Sequence, residues 1–341
     1  MARTPASRGT RAATLADVAR LAGVSVATAS KALNGRDHVH VRTRERVVEA
    51  AAQLSFSPNP LARGLLAGRT GTVGLLASDL GRFSLPILMG AEDAFGAGRM
   101  SVFLCDARGD AIRESHHVRA LLGRRVDGLI VVGSSTDPRP PLADEVDVPV
   151  VYAYAPSEDP EDRSIAPDNV GAGRMAVEHL IACGRTRIAH ISGDRDFSAA
   201  RDRATGALAA LAEAGLALVG EVAYGTWQEG WGRAAAAMLL DREPEVDAVL
   251  CGSDQVARGV LDTLRERGRR VPEDVAVMGF DNWEVMTSGA RPHLTSVDMN
   301  LEELGRAAAR ALFEAIDAEH GQGLHTVQCR VVVRGSTAPD A

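Results

Sequence analysis

The sequence predicts a small all-α helix-turn-helix head followed by an α/β body built on parallel sheet, and three observations carry that expectation. Two short amphipathic helices meet at a glycine turn between residues 15 and 34. Beyond Thr72 the rhythm changes to short β-branched or apolar runs that alternate with amphipathic helical stretches. Between the two lies a stretch broken by Pro58, Pro60, Gly64, Gly68 and Gly71. At 341 residues the chain has room for two or three folding units. No apolar run approaches the ~20 residues that a bilayer demands, which sets aside a membrane protein.

Charge is unevenly placed. Residues 1–70 hold eleven Arg and Lys against four acids, whereas the remainder holds 27 against 41. A basic head on an acidic body suits a polyanionic partner gripped at one end and repelled at the other. Arg3, Arg8 and Arg11 in residues 1–13 have no apolar stretch behind them, so this segment reads as a disordered tail and not as a secretory signal; a cytoplasmic location is expected. Cys105, Cys183, Cys251 and Cys329 are scattered without a CxxC pair, which argues for buried reduced thiols and against a zinc site or a disulfide framework. No cofactor and no metal are expected.

The elements follow in order. Thr14-Leu15-Ala16-Asp17 has the form of a capping box ahead of Leu15, Val18, Ala19 and Ala22 at helical spacing. Gly23 ends that run. Ser25 can cap a second helix through Leu33, which Asn34-Gly35 terminates. A third helix is predicted over 42–54, with Val47, Val48, Ala51 and Leu54 apolar. The head therefore spans 14–57, and 58–71 form a linker in which Leu61, Ala62, Leu65 and Leu66 keep helical spacing at a cost of ~1 kcal/mol for Gly64. In the body, residues 72–341, strands are predicted at 73–77, 101–105, 128–132, 150–153, 187–191, 248–251 and 275–278. They run into small, polar and acidic ends such as Ser78-Asp79, Ser192-Gly193-Asp194, Gly252-Ser253-Asp254 and Gly279-Phe280-Asp281. Open parallel sheets bind ligands beyond the carboxyl ends of their strands, so a small-molecule cleft is expected there.

These residues resemble the LacI/GalR family of bacterial transcription regulators over nearly the whole length. The resemblance is carried by Thr14-Leu15-Ala16-Asp17-Val18-Ala19, Ala22-Gly23-Val24-Ser25, Thr28-Ala29-Ser30-Lys31-Ala32-Leu33-Asn34 and Thr43-Arg44 in the head. Ser57-Pro58-Asn59 resembles the entry to that family's hinge helix, and Val126-Asp127-Gly128-Leu129-Ile130, Gly279-Phe280-Asp281-Asn282 and Arg334-Gly335-Ser336 extend the match through the body. The resemblance implies a homodimer or tetramer on a palindromic operator, acting as a repressor. It also implies a hinge helix and a body like a periplasmic binding protein, with two Rossmann-like subdomains at roughly 72–165 plus 297–320 and 166–296 plus 321–341.

By the family's pattern the helix opening at Ser25 lies in the major groove. Val26, Ala27, Thr28, Ser30, Lys31 and Asn34 would face bases, and Val26 and Ala27 can meet thymine methyls but donate nothing. Thr14, Leu15, Ser25, His38, Thr43 and Arg44 complete the contacts, with Ser25, Thr43 and Arg44 suited to phosphates. Leu65 matches a leucine that wedges between central base pairs from the minor groove, with Asn59 and Ala62 beside it. For the effector the alignment selects Ser78, Tyr154, Arg201, Trp227, Ser253, Asp254 and Asp281. Arg201 and Asp281 would bind hydroxyls and Trp227 would face a sugar ring, although each has a plain structural alternative as a packing or capping residue. A sugar is the favoured effector, with a nucleoside or another small metabolite as the alternative.

Two readings from other classes compete. Gly171-Ala172-Gly173-Arg174-Met175-Ala176 fits GxGxxA, but without a clear preceding strand and acidic partner the glycines read better as sites of close helix packing than as an NAD enzyme's phosphate loop. His116-His117 reads as an exposed helical pair, and no GxSxG, P-loop or HExxH is present. A plain solute-binding module would not need the basic head.

Overall fold

The strands of the body are short, and helices carry the chain back between most of them, which favours parallel pairing. The computed structural model describes residues 13–33, 39–54, 56, 69–96, 100–142, 146–317 and 321–338. They fall into two units, residues 1–71 and 72–341. The hinge segment, Asn34, His38, Asn59, Ala62, Leu65 and all of the expected tail but Ala13 lie outside the described residues.

In the head, α1 (Leu15–Ala22) starts at the predicted capping box. Asp17 N donates to Thr14 Oγ1 at 3.3 Å while Thr14 N donates to Asp17 Oδ2 at 3.0 Å. Gly23 closes it at φ +63, where a side chain would be strained. The second helix, α2 (Val26–Leu33), and the third, α3 (Val41–Gln53), pack on it through Val18, Ala19, Ala22, Ala29, Ala32, Val47, Ala50 and Ala51.

The body's first sheet is fed by β1 (Thr72–Ala77), α4 (Ser84–Phe95), β2 (Ser101–Asp106), α5 (Ala111–Gly123), β3 (Gly128–Val132), β4 (Val150–Ala153) and β5 (Arg163–Pro167). Next come α6 (Asn169–Ala182), β6 (Ile188–Ile191), α7 (Ser198–Glu213), α8 (Glu229–Arg242), β7 (Ala248–Cys251), α9 (Asp254–Glu266), β8 (Ala276–Phe280), α10 (Glu284–Gly289) and β9 (Thr295–Asp298) of the second. The chain then returns through α11 (Leu301–Ile316) and β10 (Gly323–Val327) to the first sheet, and ends in β11 (Arg330–Val332) of the second. The orders are β10-β5-β4-β3-β1-β2, all parallel, and β11-β9-β8-β7-β6, parallel except for the antiparallel β11–β9 edge. Two Rossmann-like subdomains therefore share three crossings, after β5, after β9 and after β10. The boundary expected at residue 321 shifts, because β10 pairs with β5 in the first sheet and the last crossing falls between Val327 and Arg330.

Four strands escape a search for apolar runs. β9 is buried yet starts Thr295-Ser296, and its hydroxyls are satisfied inside the protein: Thr295 Oγ1 donates to Arg334 O at 2.9 Å and Ser296 Oγ to Asp254 Oδ1 at 2.6 Å. β5 ends in a proline, and β10 and β11 are edge strands with exposed positions. The segment ahead of Gly171 is thus a real strand, β5, whereas Gly173 serves packing.

Three helix pairs approach closely enough to exclude a Cβ, and each uses glycines reciprocally. A Cβ on Gly90 of α4 would fall on Glu302 O, and one on Gly305 of α11 on Ile87 O. Gly173 of α6 and Gly206 of α7 stand in the same relation to Arg203 O and Val170 O, as do Gly232 of α8 and Gly259 of α9 to Val256 O and Glu229 O. No helix among the described residues is long and apolar enough to cross a membrane.

Two measurements probe this packing. Gly206→Ala forces a Cβ onto backbone and is expected to lower stability by about 1–3 kcal/mol in chemical unfolding. Gly123→Ala, in α5 with nothing within 4 Å of the added methyl, should be neutral or stabilising by up to about 1 kcal/mol. Equal losses for the two would refute the close-approach account. The second measurement concerns His190 in β6, which is buried with neither ring nitrogen hydrogen-bonded, and which burial and the neighbouring Arg203 charge pull down to about 4. Folding holds this ring neutral, so its contribution is complete above the ordinary value of about 6.5 and is lost as pH falls towards 4, with about 2 kcal/mol gone by pH 5. His190→Leu should therefore lose that much less stability than the native protein between pH 7 and pH 5.

Candidate functional site

On the head, the Ser25 side chain caps α2 by accepting from Thr28 N at 3.1 Å, and its hydroxyl meets Thr28 Oγ1 at 2.8 Å. Ala29 and Ala32 turn into the core, which leaves Ser25, Val26, Ala27 and Lys31 exposed on one face, with Thr28 and Ser30 half-buried at its margin. Thr14 is engaged in its capping box, and Leu15 packs against the core. Thr43 and Arg44 stand half-buried in the first turn of α3, whose N-cap His40 supplies no side-chain hydrogen bond. The face is small, largely apolar and carries one ammonium. Such a surface admits thymine methyls and offers a guanine O6/N7 pair one donor.

In the body, the ends of strands from both sheets enclose a cavity of about 190 Å³. Ser134, Ser135, Thr136 and Tyr154 come from the first subdomain, and Phe197, Arg203, Trp227 and Asp281 from the second, while the Arg82-Phe83 loop reaches in before α4. The walls are aromatic. Phe83 stacks on Tyr154 at 5.5 Å between centroids, and Phe197 meets Trp227 edge-on at 5.9 Å. Trp227 can lie flat only because the backbone beneath it is Gly193, where a Cβ would strike the indole. Burial holds the Tyr154 phenol well above its ordinary value, so it faces the cavity as a neutral hydroxyl.

Arg203 is the charged centre of this site. It is 3 % exposed, and its guanidinium donates from Nε to Asn169 Oδ1 at 2.9 Å, from Nη1 to Gly252 O at 2.6 Å and from Nη2 to Met299 Sδ at 3.3 Å. Its carbon stacks 3.6 Å from the Phe280 ring centroid, and Asp281 Oδ1 lies 3.8 Å from Nη1. Burial lowers its affinity for a proton, and the Asp281 carboxylate restores part of it. Burial likewise raises Asp281, against the pull of Arg82 and Arg203.

The structure brings Tyr154, Trp227 and Asp281 together and displaces the other four expected residues. Arg201 is exposed and turns back on its own loop, donating to Arg195 O at 2.9 Å and to Asp196 O. The reason is helical phase: Ala200, Ala204, Ala207 and Leu211 form the buried stripe of α7, and Arg203 falls in that stripe while Arg201 falls outside it. An arginine within an apolar stripe was the available signal. Ser253 is the buried N-cap of α9, accepting from Val256 N at 3.3 Å. Asp254 is fully buried and ties down the turn after β8, accepting from Ser296 Oγ and, at 2.7 Å, from Trp283 N. Burial, and after it the Asp281 charge, push its carboxyl well above the usual carboxylate range. Ser78 lines a neighbouring polar crevice with Gly109, Asp110 and Arg139, which shares Ser134 and Ser135 with the cavity.

Backbone strain concentrates here. Tyr154, Asp281, Asn282 and Asn300 all have positive φ, at 73, 102, 50 and 56 degrees, although none is glycine. Conformations of this kind cost of order 1–3 kcal/mol each and persist where surrounding structure over-determines them. The subdomains also touch directly. The N-cap of α7 is Phe197, with no capping side chain, and Asp137 of the other subdomain substitutes by accepting from Ser198 N at 2.7 Å.

Comparisons with known proteins agree with this geometry. The profile of the bacterial regulatory proteins of the lacI family matches residues 14–59, and that of the periplasmic binding protein-like domain matches residues 177–337. The HTH-type transcriptional regulator CelR of Thermobifida fusca is 38% identical over 337 residues, 96% of this chain and 98% of that one. The HTH-type transcriptional repressor PurR of Vibrio campbellii is 32% identical over 330 residues, 95% and 98%. Among solved structures, a CelR–cellobiose complex aligns with a TM-score of 0.65 at 35% identity, covering 95% of this chain and 99% of that one. The lac repressor dimer bound to operator and the anti-inducer ONPF aligns with a TM-score of 0.72 at 27% identity, covering 96% and 99%.

Proposed function

The chain belongs to the lacI family of bacterial regulatory proteins and is a DNA-binding transcription regulator, and we propose that it is a cytoplasmic, non-catalytic repressor that holds a palindromic operator as a homodimer under the control of a sugar. The observation that carries this reading is the pairing of an exposed recognition face on α2 with an aromatic-walled cavity between two subdomains.

On DNA, Val26 and Ala27 meet thymine methyls, Lys31 donates to guanine, and Ser25, Thr43 and Arg44 hold phosphates. Thr14, Leu15, Thr28 and Ser30 support that face, and Asn34, His38, Asn59, Ala62 and Leu65 keep the roles that the family pattern gives them. Dimerisation is supported by apolar side chains left exposed on the first subdomain: Leu85 and Met89 on α4, and Phe103 and Leu104 on the edge strand β2. An edge strand bearing exposed apolar residues is a template for a second chain.

In the cavity, Trp227 and Phe83 offer flat apolar faces to a sugar ring, and Asp281, Arg203 and the Tyr154 hydroxyl are placed to hydrogen-bond its hydroxyls. Arg203 takes the part first expected of Arg201. Regulation is then linkage: a ligand that fits one arrangement of the subdomains better than another shifts the dimer between states of different operator affinity.

Fluorescence anisotropy with the promoter upstream of the protein's own gene tests the reading. Lys31→Ala should weaken operator binding by about 1–3 kcal/mol and relax specificity, with little change on random DNA. Trp227→Ala should bind operator normally but lose its response to sugar, whereas Arg201→Ala should keep both. A full sugar response in Trp227→Ala would exclude this cavity as the effector site.

A further inference from the structure

A second chamber adjoins the first. It has a volume of about 340 Å³ and a polar lining that includes Asn282, Glu284, Asp298 and Asn300. Arg82, Phe83 and Asp281 line both chambers, so these side chains are the wall between them. Arg82 belongs to the first subdomain, on the loop between β1 and α4, yet it reaches across the cleft. Its Nη2 lies 3.0 Å from Asp281 Oδ2, and its guanidinium is held between two rings, 4.2 Å from the Phe83 centroid and 4.7 Å from that of Trp283. The Asp281 side chain is 4 % exposed and that of Arg82 25 %, so the pair is largely withdrawn from water. The remaining terminal nitrogen, Nη1, is buried and has no hydrogen-bond partner.

The geometry points to Arg82 as a specificity-determining residue of the effector site, which admits a one-ring sugar to the inner chamber and bars a two-ring sugar that must run through to the outer one. This inference rests on the reading of the cleft as a sugar site. A single ring within the aromatic walls leaves the Arg82–Asp281 pair intact. A ligand occupying both chambers passes through the space the guanidinium fills. It must separate a desolvated ion pair and pull the cation off two aromatic faces, and among the described residues the carboxylate left behind has Arg203 alone to offset it.

Titration calorimetry on the full chain tests this with matched sugars: glucose against cellobiose, galactose against lactose and xylose against xylobiose. The native protein is expected to bind one of the monosaccharides at least tenfold more tightly than its disaccharide. Arg82→Ala and Arg82→Gln, with native thermal unfolding as the check that each is folded, should shift that ratio at least tenfold towards the disaccharide. A ratio unchanged in both variants overturns the inference. So does a native protein that binds a disaccharide as tightly as its monosaccharide, and that result leaves the sugar reading standing. No binding of any of the six sugars by any of the three proteins overturns both.

Discussion

The body is organised around one buried guanidinium. Arg203 reaches Asn169 just past the first crossing between subdomains, Met299 at the second, and the end of β7 through Gly252 O. The third crossing lies alongside the first, where Asp168 N donates to Val327 O at 3.0 Å and Cys329 Sγ to Asp168 O at 3.7 Å. Taking an ion out of water costs several kcal/mol unless hydrogen bonds and opposite charge compensate it. The compensation here is drawn from the crossings themselves and from Asp281 in the cavity wall. The crossings and the cavity are therefore one electrostatic unit, and anything that engages Asp281 alters the balance holding the crossings.

Such coupling requires stiff bodies on either side, since a soft subdomain would absorb a small shift at the pocket. The reciprocal glycines supply that stiffness by bringing α4 against α11, α6 against α7 and α8 against α9 at backbone contact, where sliding meets carbonyl oxygens instead of compressible side chains. Movement is thereby directed to the crossings, which suits rigid-body rearrangement more than continuous deformation.

Much of this was legible in the sequence wherever one residue type has one physical use. The Thr14 capping box, the Gly23 turn and the strand end at Ser192-Gly193 are local signals, and the structure places each as read, whereas β8 runs two residues further than expected, through Gly279 and Phe280. Legibility failed where a residue's role depends on distant partners. β9 reads as a loop because its buried hydroxyls find acceptors some forty residues away, at Asp254 and Arg334. Ser253 and Asp254 look like ligand groups because they are polar and end a strand, but their hydrogen bonds are spent on a helix cap and on the Trp283 turn. Arg203 was missed in favour of Arg201 through a two-residue error of helical phase, about 200° around the helix and hence the difference between core and solvent.

The helix that carries Arg203 is also finished from across the cleft. Phe197 cannot cap α7, and Asp137 of the first subdomain accepts from Ser198 N while Thr136 Oγ1 meets Ser198 Oγ at 3.1 Å. Parting the subdomains at this edge would return the helix N-terminus to water, at a cost typical of a lost cap, about 1 kcal/mol. On the other side of Arg203, the Arg82–Asp281 pair closes the same gap. A ligand between these two ties need not supply the whole preference for one arrangement of the subdomains; it has only to tip a balance already partly set. The differential affinity required to move a two-state equilibrium from one extreme to the other is about 5.5 kcal/mol, within reach of a few well-oriented hydrogen bonds and stacked rings. The pocket's small size is consistent with that requirement: it needs precise contacts with Asp281 and Arg203 more than it needs area.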